Sequence, residues 1–203
     1  MNDHSTTKLY VCGTRLGWIA VALTPFGIRA CSMPHNTREE ALDELGAPNQ
    51  LPMATVEELG DLPQQLRYYA EGVPTVFDSA VDLTWATPFQ RTVLNELRNV
   101  PYGQTRSYGW LAEMAGSPGA VRAVGQVMAS NPVPVIVPCH RIVRSDGSLG
   151  GYGAGLETKA QLLRLEGLRV TNLENRWLLV ETSAGSAVPS VPASLATAAT
   201  PLR

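Results

Sequence analysis

Ser107-Tyr-Gly-Trp-Leu-Ala-Glu-Met-Ala-Gly-Ser-Pro-Gly-Ala-Val-Arg-Ala-Val-Gly-Gln-Val-Met-Ala-Ser-Asn-Pro-Val-Pro-Val-Ile-Val-Pro-Cys-His-Arg141 decides how this chain is read. Ser107 can cap a helix over Tyr108 to Ala115, with Gly116 as its stop. Ser117-Pro118 then opens a second helix, with Val121, Val124, Val127 and Met128 on one face. Two short helices joined across Gly116-Ser117-Pro118 have the shape of a helix-turn-helix, which serves as a DNA reader or as a plain packing unit. The second helix ends at Ser130-Asn131-Pro132. An apolar segment stiffened by three prolines, Asn131 to Pro138, then delivers Cys139.

Cysteine is often an inert small hydrophobe in a core. Polar neighbours favour another role here. The thiolate is the nucleophilic form, and it needs a base or a positive charge nearby at neutral pH. His140 is a candidate base and Arg141 a candidate charge. Adjacent residues of an extended chain point to opposite faces, so His140 reaches Cys139 only across a turn or through a bridging water.

Before this stretch, Thr87-Pro88-Phe89-Gln90 has a capping-box pattern with proline at the first helical position. Phe89, Val93, Leu94 and Leu97 follow at helical spacing. After it comes a glycine-rich loop, Gly147 to Gly155, without the Lys-Ser/Thr of a phosphate-binding loop; a close-fitting binding loop or lid is expected. Leu156 to Glu166 reads as an amphipathic helix closed by Gly167. In the first part, Leu9 to Cys12, Trp18 to Leu23 and Ile28 to Cys31 read as a small antiparallel sheet. His35 to about Gly72 carries helical runs, and Thr75 to Leu83 reads as a further strand and linker. The expected fold class is α/β (α+β): a small sheet with helix over 1–83, a mostly helical unit over 84–170, and an Ala/Ser/Pro/Thr-rich disordered tail over 182–203.

Length and composition suit one large globular domain or two small ones among 203 residues. No stretch approaches a membrane span, and no signal-peptide profile opens the chain. Three sparse cysteines suggest a reducing compartment, so a cytoplasmic protein is expected, nucleoid-associated in a bacterium. Cys12 and Cys31 lie 19 apart with no Cys-x-x-Cys, so no metal is expected. From Pro88 to Arg169 there are nine Lys/Arg against five Asp/Glu, while the remainder holds seven against thirteen. That asymmetry suits a second half that meets a polyanion.

Taken together, these residues resemble the O6-alkylguanine-DNA alkyltransferases, also called methylated-DNA–protein-cysteine methyltransferases. The match runs in order through Thr87-Pro-Phe-Gln, Pro101-Tyr-Gly-Gln-Thr-Arg-Ser-Tyr-Gly109, Val121-Arg-Ala-Val-Gly125, Asn131-Pro, Pro138-Cys-His-Arg141 and Asp146-Gly to Gly153, ending near Glu166. The resemblance implies a ribonuclease-H-like N-terminal domain and single-turnover transfer of an alkyl group from O6-alkylguanine in duplex DNA, with O4-alkylthymine left open. It implies Cys139 as the acceptor, His140 as its base through a water, Glu166 as the carboxylate orienting His140, and Asn131 as the tie between helix-turn-helix and active-site turn. Arg122 is implied to enter the duplex where the nucleotide leaves, and Tyr108 to help rotate it and protonate guanine. Ser107, Ala123 and Gly125 join them on the DNA surface; Met128, Pro134, Ile142, Tyr152 and Gly153 match pocket positions. No cofactor is implied, and a monomer is expected. Two other functions keep the same residues: a non-catalytic lesion binder, against which Cys139 argues, and a cysteine hydrolase using Cys139, His140 and Glu166.

Overall fold

The computed structural model describes residues 7–46 and 51–180; the tail expected over 182–203 lies outside them. Strands β1 (Lys8–Thr14), β2 (Gly17–Thr24) and β3 (Gly27–Cys31) form an antiparallel sheet in the order β1-β2-β3. Thr14 pairs with Gly17 across a two-residue turn. Gly17 sits at φ 127°, and a Cβ there would lie 2.4 Å from the His35 carbonyl oxygen, so only glycine fits. Helices α1 (Arg38–Glu44), α2 (Val56–Leu59) and α3 (Leu62–Ala70) follow. Leu62, Leu66, Tyr69 and Ala70 recur at helical spacing along α3 and are buried.

Residues 71–86 then form a connecting arm without helix or strand. The strand expected over Thr75 to Leu83 is one isolated bridge, Val81 to Ile28. That stretch is β-prone by composition, but only at its far end does it reach a free sheet edge. Helix α4 (Pro88–Arg98) begins where its capping box placed it: Thr87 Oγ1 accepts from Gln90 N, and the Gln90 side chain accepts from Thr87 N at 2.9 Å. A short parallel pair, β4 (Arg106–Ser107) with β5 (Ile142–Val143), brackets the helix-turn-helix. Its helices are α5 (Tyr108–Met114) and α6 (Val121–Ala129). Ser107 caps α5 by accepting from Trp110 N at 3.0 Å. Helix α6 starts at Val121 rather than at Ser117-Pro118, because Ala120 N closes a separate turn onto Ser117 O at 2.9 Å.

Helix α7 (Leu156–Leu165) is followed by a hairpin, β6 (Val170–Leu173) and β7 (Arg176–Leu179), that the sequence reading did not include. Glu174 and Asn175 both have positive φ, 48° and 64°, as a tight two-residue hairpin turn requires. The main core joins the two halves: Cys12, Ile19, Val21, Leu66 and Tyr69 pack in one cluster with Val93, Leu94, Leu97, Val133 and Ile136. Burying a leucine such as Leu66 or Leu94 stabilises by about 2 kcal/mol. The edge of β3 also holds the segment that carries Cys139, with Cys31 N donating to Pro132 O at 2.8 Å.

Candidate active site

Two γ-turns steer the chain into Cys139. Ile136 N donates to Pro134 O at 2.8 Å around Val135, whose φ is +70°. That conformation is strained, and a β-branched side chain there is rare. Cys139 N then donates to Val137 O at 2.8 Å around Pro138, at φ −81° and ψ 64°. Cys139 to Arg141 wind into one 3-10 turn, the turn that the adjacency of Cys139 and His140 demands.

Asn131 locks this geometry. Its Nδ2 donates to Val137 O at 2.8 Å and to Cys139 Sγ at 3.2 Å, while its Oδ1 accepts from Val133 N at 3.1 Å. Cys139 is 6% exposed. Burial raises its thiol, and the Asn131 amide and the Lys159 charge oppose that rise. Arg141, the expected charge for the thiolate, turns elsewhere. Its Nε donates to Glu166 Oε2 at 2.9 Å, its Nη2 to Oε1 at 3.0 Å, and its Nη1 to Val100 O at 2.7 Å.

Glu166 closes α7 and collects four sets of donors. Besides Arg141 these are His140 Nε2 at 2.6 Å and Tyr69 Oη at 2.9 Å, both on Oε1, and Gly103 N at 3.0 Å on Oε2. Burial would raise this carboxyl, but His140 and Arg141 hold it well below the usual carboxylate range. For His140 the pull reverses: complete burial favours the neutral ring and outweighs the carboxylate's attraction for a proton. Arg141, a permanent cation, balances the Glu166 charge and adds to burial in disfavouring the imidazolium. His140 Nδ1 has no hydrogen-bond partner among the described residues.

A cavity of about 840 Å³ opens over Cys139. Of the expected residues it is lined by Ser107, Tyr108, Arg122, Gly125, Met128, Tyr152 and Gly153. Ala123, partly buried in the first turn of α6, does not line it. Pro134 lines a second cavity of about 460 Å³ that shares Cys139, Met128 and Tyr152 with the first and also meets Met33. Ile142 lines neither. It is fully buried in β5, so its side chain is core rather than pocket wall. Gly150 explains part of the loop: a Cβ there would lie 3.0 Å from the Tyr108 ring and hydroxyl. The loop packs on Tyr108, whose hydroxyl donates to Gly151 O at 3.4 Å.

Three site residues were not among those singled out from sequence. Lys159 is wholly buried; its Nζ donates to the carbonyls of Ile142 and Leu149, and burial brings its pKa down to about 8. A lysine beside Ala160, between Leu156 and Leu163, sits on the inward face of an amphipathic helix, and that was the available signal. Tyr102 bridges Gly72 O and Leu165 O, both at 2.9 Å. Tyr69 comes from the first half of the chain, on a helix whose apolar pattern reads as ordinary core.

Residues 88–168 match the family model described as 6-O-methylguanine DNA methyltransferase, DNA binding domain. The methylated-DNA–protein-cysteine methyltransferase of Shigella flexneri is 42% identical over 130 residues, 64% of this chain and 71% of that protein. The chain belongs to the methylated-DNA–protein-cysteine methyltransferase family. A second methyltransferase of this family, from Mycolicibacterium paratuberculosis, is 50% identical over 103 residues, 51% of this chain and 62% of its own length. Among solved structures, the Mycobacterium tuberculosis O6-methylguanine methyltransferase superposes with a TM-score of 0.63 at 35% identity, covering 79% of this chain and 92% of that one. A complex with DNA from the same organism gives 0.64 at 34%, covering 78% and 92%. The methyltransferase fold therefore extends well beyond the matched motif, across the N-terminal sheet. Among the described residues no helix is long and apolar enough to cross a membrane, and no three His, Cys, Asp or Glu side chains gather as a metal site.

Proposed function

We propose that this chain repairs O6-alkylguanine in duplex DNA by moving the alkyl group onto Cys139, once per molecule. The observation that carries the reading is Cys139 Sγ, held by the Asn131 amide at the floor of a cavity that Arg122 and Tyr108 of the helix-turn-helix line.

The alkyl group lies within the base stack, so the nucleotide must rotate out to reach a buried thiol. Arg122 is exposed at the first turn of α6 and fills the vacated place with a planar cation. The neutral imidazole of His140 takes the thiol proton at Nδ1 through a bridging water, and Glu166 stabilises the imidazolium that results. The thiolate then attacks the saturated alkyl carbon. A C–S bond forms, the C–O6 bond breaks, and its electron pair passes to guanine. Tyr108 donates a proton to the departing base, and burial beside Cys139 keeps that phenol protonated until then. Attack at saturated carbon forms no tetrahedral oxyanion. The product is a thioether, which offers water no carbonyl, so the reaction ends there. A DNA partner suits a cytoplasmic protein that, in a bacterium, works at the nucleoid.

The test is incubation with a duplex carrying O6-methylguanine, followed by intact mass and peptide mapping. One added methyl, on Cys139, is expected. Repeated turnover by the pure protein would favour a hydrolase, and unmodified protein bound to the lesion would favour a non-catalytic binder.

A further inference from the structure

Tyr69 lies outside the matched 88–168 segment. It is 1% exposed, on the buried face of α3, and its hydroxyl reaches across to the relay. That hydroxyl donates to Glu166 Oε1 at 2.9 Å and lies 3.3 Å from His140 Nε2. Its ring meets the His140 and Tyr102 rings edge-on, with centroids 6.4 and 6.1 Å apart. Oε1 is also the oxygen that His140 uses, so the phenol and the imidazole compete for one acceptor.

We infer that Tyr69 is a positioning residue for the alkyl transfer: its hydroxyl holds Glu166 Oε1 and limits how strongly that carboxylate draws a proton onto His140. The N-terminal half thereby reaches the relay itself through this O–H. This rests on the proposed role of His140 as the base for Cys139.

The groups facing this centre are few. The 3-10 turn presents Cys139 and Arg141. The loop after α4 presents Tyr102 and the Gly103 N–H. Helix α7 presents Lys159 and ends in Glu166. The glycine-rich loop presents Tyr152, and helix α3 presents Tyr69. Burial, then the Glu166 charge, keeps the Tyr69 phenol protonated, so it acts only as a donor. Without it, Glu166 retains Arg141 and Gly103 but has more charge to offer the imidazole. An imidazolium becomes easier to form, and His140 stops serving as a base at a higher pH.

The experiment compares wild type, Tyr69→Phe and Tyr102→Phe. The Tyr102 hydroxyl bonds the carbonyls of Gly72 and Leu165 but not Glu166, so its loss disturbs the same seam without touching the relay. Cys139 alkylation by iodoacetamide is followed by peptide mapping from pH 5 to 9, with Cys12 and Cys31 as internal references, and melting is recorded for each protein. Iodoacetamide reports the relay whether or not O6-methylguanine is the substrate. A parallel run with O6-methylguanine duplex therefore tests the repair reading separately. The acid limb of the Cys139 profile is expected to move to higher pH by roughly 0.5 to 1 in Tyr69→Phe and to stay in place in Tyr102→Phe. A limb that is unmoved or moves down in Tyr69→Phe overturns the inference. So does an equal displacement in both variants, or a wild-type profile with no limb in the histidine range.

Discussion

Cys31 and Cys139 are two cysteines in one core, and they differ in almost everything except burial. Cys31 is 3% exposed and Cys139 6%. The Cys31 thiol donates to Ser32 O at 3.4 Å; burial foremost, then the neighbouring Cys12 sulfur and the Glu44 carboxylate, disfavour its ionisation. Burial pushes it far up. Cys139 has the reverse arrangement, because its sulfur accepts from an amide and feels a buried ammonium. A hydrogen bond given by sulfur keeps the proton on; one received helps it leave. Enclosure alone therefore says nothing about reactivity.

The strongest way to break that contrast is to exchange the sulfur. Cys139→Ser should end alkyl transfer completely while leaving a folded protein. Cys31→Ser should keep transfer and lower stability by about 1–3 kcal/mol, since a hydroxyl is costly in an apolar core. Mass spectrometry and denaturant melting read the two outcomes; transfer surviving in Cys139→Ser would reverse the assignment. Next comes Asn131→Ala, which takes the donor from Sγ, removes one of the two hydrogen bonds to Val137 O and strands Val133 N. Single-turnover transfer should fall by roughly 10- to 100-fold, the value of one hydrogen bond to a charged group. Stability should drop in the same variant.

A third test moves outward to the DNA side. Arg122→Ala should slow repair of duplex DNA roughly tenfold, within the few kcal/mol that unstacking costs. Reaction with free O6-benzylguanine, which has no stack to leave, should hold. Equal losses on both substrates would place Arg122 in support of the active-site fold.

The smallest effect concerns protons. His140 has a lowered pKa, so below about 6.5 the unfolded chain binds a proton that the folded one refuses, and stability falls as pH drops. Glu166 is also lowered, and its contribution, complete above about pH 4.3, is lost as pH falls further toward its folded value. Replacing His140 by Gln should flatten the melting profile as pH falls below about 6.5, removing the loss of stability that the depressed imidazole causes there. An unchanged slope would mean that His140 is charged in the folded protein.

What could be read from sequence was read where local chemistry fixes local structure. Thr87-Pro88 and Ser107 announce helices through their own side chains. Pro132, Pro134 and Pro138 announce a rigid approach to Cys139. Three features carried no such local signal. Thr75 to Leu83 looks like a strand, but whether it pairs is decided by β3. Glu174-Asn175 forms a hairpin turn without the glycine that would have announced it. Arg141 stands beside Cys139 in sequence and serves Glu166, because a 3-10 turn points successive side chains about 120° apart. Tyr69 had no local signal at all: a tyrosine on a buried helical face looks the same whether its hydroxyl meets a carbonyl or a catalytic carboxylate.

The shared seam also governs how the molecule comes apart. Tyr102 ties Gly72 to Leu165, Cys31 ties β3 to Pro132, and Glu166 draws donors from both halves. Neither half can open without uncovering the other's apolar face, so calorimetry should record one transition whose van't Hoff and calorimetric enthalpies agree. For the same reason, a protease that nicks the arm between residues 71 and 86 should yield two fragments that still migrate as one particle, separating only in denaturant.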